Sequence, residues 1–330
     1  MTYSERDYRE NQTISDVFIL VGFSHFNELQ ILLFLVLLVV YLVAFMGNLL
    51  IILVIKLNPS LHTPMYFFLV HLSVLEICFT TSVFPQLLVH LLENKKTISM
   101  VGCAAQMAII TVIGLTECCL LAAMSYDRYV AICHPLHYTT IMSGRVCALL
   151  AGASWFISIL VEVAQTTWLF SLSFCRSNRI HHFFCDVPPV MKMACADTSK
   201  NEIMLLTVSV LFIMGPFLLI ILSYILIIST ILKLPSAEGR RKAFSTCSSH
   251  LMLVTFFYGT ALFTYLVPKS SSIPESDQLI SLMNTILVPL SNPIIYTLRN
   301  KEVKGALRKT AAKSFFSHSW INWRMESRVN

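Results

Sequence analysis

Charge is scarce in this chain. Of its 330 residues only 13% are charged while 56% are hydrophobic, and the mean hydropathy is +0.71. That composition excludes an ordinary water-soluble globular domain. Catalytic signatures are missing as well: there is no HExxH, no GxSxG and no phosphate-binding glycine loop. The chain therefore reads as a non-enzyme without a cofactor. Its first 15 residues are polar and lack the apolar core of a cleavable signal peptide, which leaves the first apolar stretch to direct insertion. Cysteine is absent after Arg299, so a palmitoyl anchor in the tail is excluded.

What is present is apolar sequence of membrane-crossing length. A spanning helix needs roughly 20 mostly apolar residues, and such stretches run approximately over 29–55, 65–91, 104–126, 146–170, 203–232, 244–267 and 279–298. They are continuous, whereas barrel strands show about ten residues of alternating character. The expected fold is an all-α membrane protein, a seven-transmembrane helix bundle over 29–298. A segment over 1–28 precedes it, and a tail over 299–330 follows.

Basic residues set the orientation. Lys56, Arg145, Lys233, Arg240, Arg241, Lys242, Arg299, Lys301, Lys304, Arg308, Lys309 and Lys313 all fall on one side of the seven-span arrangement. That side is expected to be cytoplasmic, with an extracellular N-terminus and a cytoplasmic C-terminus in the plasma membrane. The opposite side mixes signs: Glu93 with Lys95 and Lys96, Glu275 and Asp277 with Lys269, and a long loop holding Arg176, Asp186, Asp197 and Glu202. The net charge of +6 is mostly cytoplasmic flank and implies no nucleic-acid partner. Asn11 opens an Asn-Gln-Thr glycosylation acceptor on the outer side, in agreement with the charge bias. Beyond Asn300, Lys301, Lys304, Arg308 and Lys309 mark the basic face of a short amphipathic eighth helix suited to lying on membrane lipids. Ser314, Ser317, Ser319 and Ser327 follow in a segment expected to be disordered.

Four cysteines fall outside: Cys103, Cys175, Cys185 and Cys195. Spacing leaves all three pairings of this even set open. Cys78, Cys118, Cys119, Cys133, Cys147 and Cys247 read as small apolar residues. His181 and His182 stand near Cys185, which raises a metal site; outer cysteines oxidise, and disulfides are the stronger reading, with no metal.

Carboxylates inside the membrane cost at least about 2.5 to 3.5 kcal/mol on insertion scales and so are candidates for function. Glu76 and Glu117 fall at similar depth in neighbouring spans, where they would share a proton or a cation in an ion- or proton-sensitive hinge. Glu162, in the outer half of span four, is expected to hydrogen-bond a neighbouring helix. Pro216 interrupts span five, and Pro289 and Pro293 interrupt span seven, each freeing a carbonyl; Asn292 is positioned to supply the missing amide. Asp127 and Arg128 end span three as an adjacent acid and base, which by themselves fit a pair snorkelling into the headgroups equally well.

These features join in a resemblance covering nearly the whole chain. Asn48 after Gly47, the run LHTPMYFF from Leu61, MSYDRYVAIC from Met124, KAFSTCSSHL from Lys242 and PLSNPIIYTLRN from Pro289 resemble the signature of vertebrate odorant receptors, within the rhodopsin-like G-protein-coupled receptors. The resemblance implies small volatile odorants as ligands, and a heterotrimeric G protein of the stimulatory olfactory type that raises cyclic AMP. It implies that Arg128 holds the inactive state through Asp127, beside Tyr129, and that Tyr224, Asn292, Pro293 and Tyr296 rearrange with it. It implies the pairs Cys103–Cys185 and Cys175–Cys195. Tyr258 stands where most rhodopsin-like receptors carry tryptophan, as the pocket floor. Helical spacing then nominates Met107, Ile110, Thr111, Gly114 and Leu115, with Ser209, Phe212, Ala261, Leu262, Tyr265, Leu282 and Thr285, as the ligand-binding wall. Such a mostly apolar pocket suits dispersion and one or two hydrogen bonds, and no carboxylate in span three is positioned to offer itself to an amine.

The sequence departs from the family at Ser125, where alanine is commoner, at His71 and Glu76, where asparagine and aspartate are usual, and at Ser291, where leucine is frequent. The remaining alternatives are another rhodopsin-like small-molecule receptor and, behind it, a seven-span channel or transporter, for which the spans offer too few aligned polar groups.

Overall fold

The structure is a computed structural model that describes residues 17–22, 29–93, 96–174, 178–266, 274–299 and 302–308. Seven long helices dominate it: α1 (Gln30–Leu57), α2 (Pro64–Leu92), α3 (Met100–Cys133), α4 (Gly144–Phe170), α5 (Ser199–Leu232), α6 (Ala237–Leu266) and α7 (Pro274–Arg299). Among the described residues six are long and apolar enough to cross a membrane; α6, whose first turns carry Glu238, Arg240, Arg241 and Lys242, is the less apolar exception. Leucine, isoleucine and valine cover the outward faces, as on Leu32, Val39 and Leu222. That pattern suits lipid, which supplies no water to exposed backbone and so favours helices that satisfy their own amides. An eighth helical stretch over 302–308, α8, buries Val303 and Ala306 and exposes Glu302, Lys304 and Arg308. Tyr66 on α2 donates to Glu302 at 2.7 Å, which ties α8 to the bundle.

α3 is the axis of the bundle: 61% of its most apolar window is buried, against 28% for α1 and 22% for α5. Its start is set by Ser99, whose side chain accepts from the Gly102 amide at 3.0 Å as an N-cap. Because one rigid helix runs from Cys103 to Arg128, it carries residues of both ends of the molecule.

Two proline sites are resolved differently. In α5 a π-helical turn over Val210–Met214 precedes Pro216, with the Gly215 amide reaching back to the Val210 carbonyl, so the helix widens where proline cannot donate. In α7 the carbonyl freed by Pro293 is that of Pro289, four residues back, and Asn48 on α1 donates to it at 3.0 Å. The expectation that Asn292 supplies this amide is corrected: both polar atoms of its side chain are buried without a hydrogen-bond partner, while Asn48 faces the freed carbonyl across the interface. Gly47 permits that approach, since a Cβ there would lie 2.7 Å from the Cβ of Pro293.

The outer surface holds an element that hydropathy did not suggest. Val17–Leu20 forms a strand, β1, between β2 (Thr97–Ser99), antiparallel to it, and β3 (Arg179–Ile180), parallel to it. Phe18 and Leu20 point inward and are buried with Ile98, Ile180 and Cys185. Gly22 then passes against Phe183, where a Cβ would come within 2.6 Å of the phenylalanine Cβ. Lys96 donates to the Gly22 carbonyl at 3.2 Å, and burial there pushes its ammonium below the usual lysine range.

Candidate ligand cavity and cytoplasmic switch

A disulfide between Cys103 and Cys185 pins the outer loop over the start of α3. Gln106, one turn deeper, accepts from the Cys185 amide at 2.9 Å and donates to the Ser82 carbonyl and the Gln86 side chain on α2. Three segments thus meet on one amide that the sequence reading did not single out. Cys195 is disulfide-bonded, whereas Cys175, its expected partner, lies outside the described residues, as does Asn11. His182 is buried against Phe183 and Phe184, with its Nδ1 accepting from the Phe184 amide, and no group of three metal-ligating side chains occurs among the described residues.

Below this cap a cavity of about 80 Å³ opens between α3, α4, α5 and α6, with the mostly apolar lining and few polar groups of a small-molecule site. Six of the nominated residues line it: Ile110, Thr111, Gly114, Leu115, Ser209 and Ala261. The rest of the wall comes from Cys118 on α3, Leu205, Val208 and Ile213 on α5 and Phe257 on α6, which helical spacing passed over, and from Gln165 on α4 with Asp186 and Val187 of the outer loop, which spacing on the other spans could not reach. Met107 is instead fully buried in the cluster beneath the outer sheet, and Thr285 is buried in α7, where it donates to Ser281. Leu282 packs with Phe183 and Phe184, and Phe212 and Leu262 lie outside the cavity wall. The side chain of Tyr265 is outside the described residues. Tyr258 sits beneath the floor, 1% exposed, against Phe217 and Phe257 and beside Cys118.

A second cavity of about 70 Å³ shares Ile110, Gly114, Phe257 and Ala261 with the first and reaches toward α7. Glu76 and Glu117 line it and meet side chain to side chain. Asn284, also on its wall, accepts from Thr260 at 2.7 Å, joining α6 to α7. Gly114 is common to both cavities, and a Cβ added there would meet nothing within 4 Å.

Glu162 faces α3, the neighbouring helix on which a partner was expected. Its carboxyl accepts from Thr166 on its own helix, and Thr111 of α3 lies within hydrogen-bonding reach of the same carboxyl.

At the cytoplasmic end Arg128 forms an ion pair with Asp127, with its Nε at 3.0 Å. The other oxygen of Asp127 accepts from Tyr138 at 2.7 Å. Burial first, and then the Asp127 carboxylate, push the Tyr138 phenol well above the usual tyrosine range, so it stays a donor. Tyr129 lies at the rim, its hydroxyl 3.1 Å from His134. Tyr224 of α5 lies 2.7 Å from His250 Nδ1 on α6, and His250 Nε2 lies 3.1 Å from the Leu121 carbonyl of α3. A carbonyl only accepts, so Nε2 carries the hydrogen, and the Tyr224 hydroxyl donates to Nδ1. His250 is fully buried and ties three helices together. Its signal in sequence was an isolated histidine near the end of KAFSTCSSHL. Ser125 donates to the Ala122 carbonyl of its own helix at 2.8 Å, which absorbs the hydroxyl that departs from the family pattern. Pro293 is buried against Gly47, and Tyr296 belongs to α7 with its side chain outside the described residues.

Comparison with known proteins places this arrangement. A family model described as olfactory receptor matches residues 37–313. Olfactory receptor 10A4 of Homo sapiens is 56% identical to this chain, over 91% of it and 96% of that protein. Olfactory receptor 10A3, also of Homo sapiens, is 53% identical over 94% of this chain and 99% of its own length. Olfactory receptor 10C1 is 51% identical over 92% and 97% respectively.

Proposed function

The chain belongs to the olfactory receptor family, a family of non-enzymatic seven-transmembrane G-protein-coupled receptors of the plasma membrane, and from that premise we propose where its ligand binds, what it couples to and how it faces. The odorant occupies the cavity around Gly114, with Thr111, Gln165, Asp186 and Ser209 as its few polar groups in an otherwise apolar wall. The observation that carries this reading is that one helix, α3, both lines the cavity and bears the Arg128–Asp127 pair at its other end. The N-terminus faces outside and α8 lies on the inner leaflet, as supported by the basic residues that gather at one side of the bundle. The G protein is of the stimulatory olfactory type, raising cyclic AMP.

The switch is closed by contacts between helices that must part. Outward movement of α6 breaks the hydrogen bond from His250 to the Leu121 carbonyl and exposes Arg128 to a partner. Glu76 and Glu117, at the second cavity, form a shared proton or cation site that reports the same movement through Gly114 and Asn284. A ligand drives the change only as far as it prefers the open state, so affinity alone is insufficient. The test is cyclic AMP production by cells carrying the full chain, exposed to a chemically diverse odorant panel. Dose-dependent signals that require the G protein support the proposal; ion current without G protein tells against it.

A further inference from the structure

One polar cluster has no part in the switch. Glu162 and Gln165, one turn apart on α4, are 1% and 4% exposed, at the outer end of the cavity. A carboxyl buried this deeply costs several kcal/mol unless donors surround it; one threonine hydroxyl bonds it, and a second stands beside its unpaired oxygen. Thr166 donates to Oε1, and Thr111 is the donor within reach of a carboxyl whose Oε2 has no partner at ordinary hydrogen-bond geometry. Glu162 does not itself line the cavity, but Thr111 does, beside Gln165 and Asp186.

A hydroxyl has one proton and two lone pairs. When Thr111 commits its proton to Glu162, it faces the cavity with lone pairs alone. Asp186, on the same wall, adds acceptor oxygens, one of them already taking the Val187 amide at 2.8 Å. We propose that Glu162 is a positioning residue that makes Thr111 a hydrogen-bond acceptor in the cavity wall, so that this receptor selects odorants with a hydroxyl donor on an apolar skeleton over the matching methyl ethers and ketones. The proposal rests on the odorant cavity described above and specifies its chemistry.

The test uses the full chain in cells with a cyclic AMP readout and surface staining. The probes are straight-chain, cyclic and aromatic alcohols, each beside its methyl ether and its matching ketone or aldehyde. Alcohols are expected to be more potent by about threefold to tenfold, the worth of one neutral hydrogen bond. Glu162→Gln can donate to Thr111, which frees the threonine proton for a ligand carbonyl and moves the preference toward ketones. Thr111→Val, close in volume, makes alcohol and ether equally potent, and it decides the matter alone if Glu162→Gln does not reach the surface. Ethers or ketones equal to or better than alcohols on the unaltered chain overturn the proposal. So does an unchanged alcohol preference in Thr111→Val, or silence of every probe at verified surface expression. A signal that survives Arg128→Ala tells against the receptor reading itself, whereas an Arg128-dependent signal with the wrong ranking tells against the subsite alone.

Discussion

The cytoplasmic end and the middle of the bundle hold their polar groups in opposite ways. At the cytoplasmic end they pair: Arg128 with Asp127, Asp127 with Tyr138, Tyr224 with His250, His250 with the Leu121 carbonyl. In the middle, Ser73, Thr116 and Asn292 each bury polar side-chain atoms without a partner, as do single oxygens of Glu76 and Glu117. An orphaned buried polar atom costs about 1–3 kcal/mol, more than a made hydrogen bond gains. The difference teaches where the polar groups are committed: the output end is closed on itself by side-chain pairs, and the middle holds polar atoms that no other protein group engages.

The largest effect should come from unpinning the outer cap without touching either region. Cys103→Ser removes a disulfide closing a sequence separation of 82 residues, worth about 2–5 kcal/mol. Surface expression should collapse, and to the same extent in Cys185→Ser and in the double variant, as measured by antibody staining of intact cells. Next, Gly114→Phe fills the space shared by both cavities, where a Cβ meets nothing. Agonist responses should fall by at least about tenfold in potency while the receptor still reaches the surface; an unaltered dose response would remove the cavity from the account. Third, Asn48→Ala leaves the Pro289 carbonyl unpaired, at about 1–3 kcal/mol. Thermal unfolding of purified receptor should show that loss, whereas Asn292→Ala, which removes two unpartnered atoms, should cost less. Smallest, Tyr138→Phe deletes one hydrogen bond from the closed end, about 0.5–1.5 kcal/mol. Ligand-free cyclic AMP should rise by no more than about tenfold; a fall would mean that Tyr138 serves the active state instead.

How much of this was legible in the sequence differs by level. The spans were legible because lipid demands long apolar runs, and Glu76 and Glu117 were legible as neighbours because equal depth in adjacent spans brings side chains together. The pairing of Cys103 with Cys185 was not legible from spacing, since four outer cysteines permit three arrangements and only the family resemblance chose one. Asn48 shows why partners escape a linear reading: the residue beside Pro293 looked apt, yet the freed carbonyl faces another helix, 241 positions away in sequence. The same holds for Gln106, whose three contacts lie on α2 and the outer loop. β1 escaped because four residues are too few for an alternation signal. The wall residues from α4 and the outer loop escaped because helical spacing predicts faces, not how a loop folds back under a disulfide.

The central claim is that a ligand in the outer cavity is read out through Arg128 at the far end of α3. It is tested most directly by agonist-evoked cyclic AMP from the unaltered chain and from Arg128→Ala at matched surface expression. The account predicts a dose-dependent response in the first and none in the second. An equal response from both would contradict it.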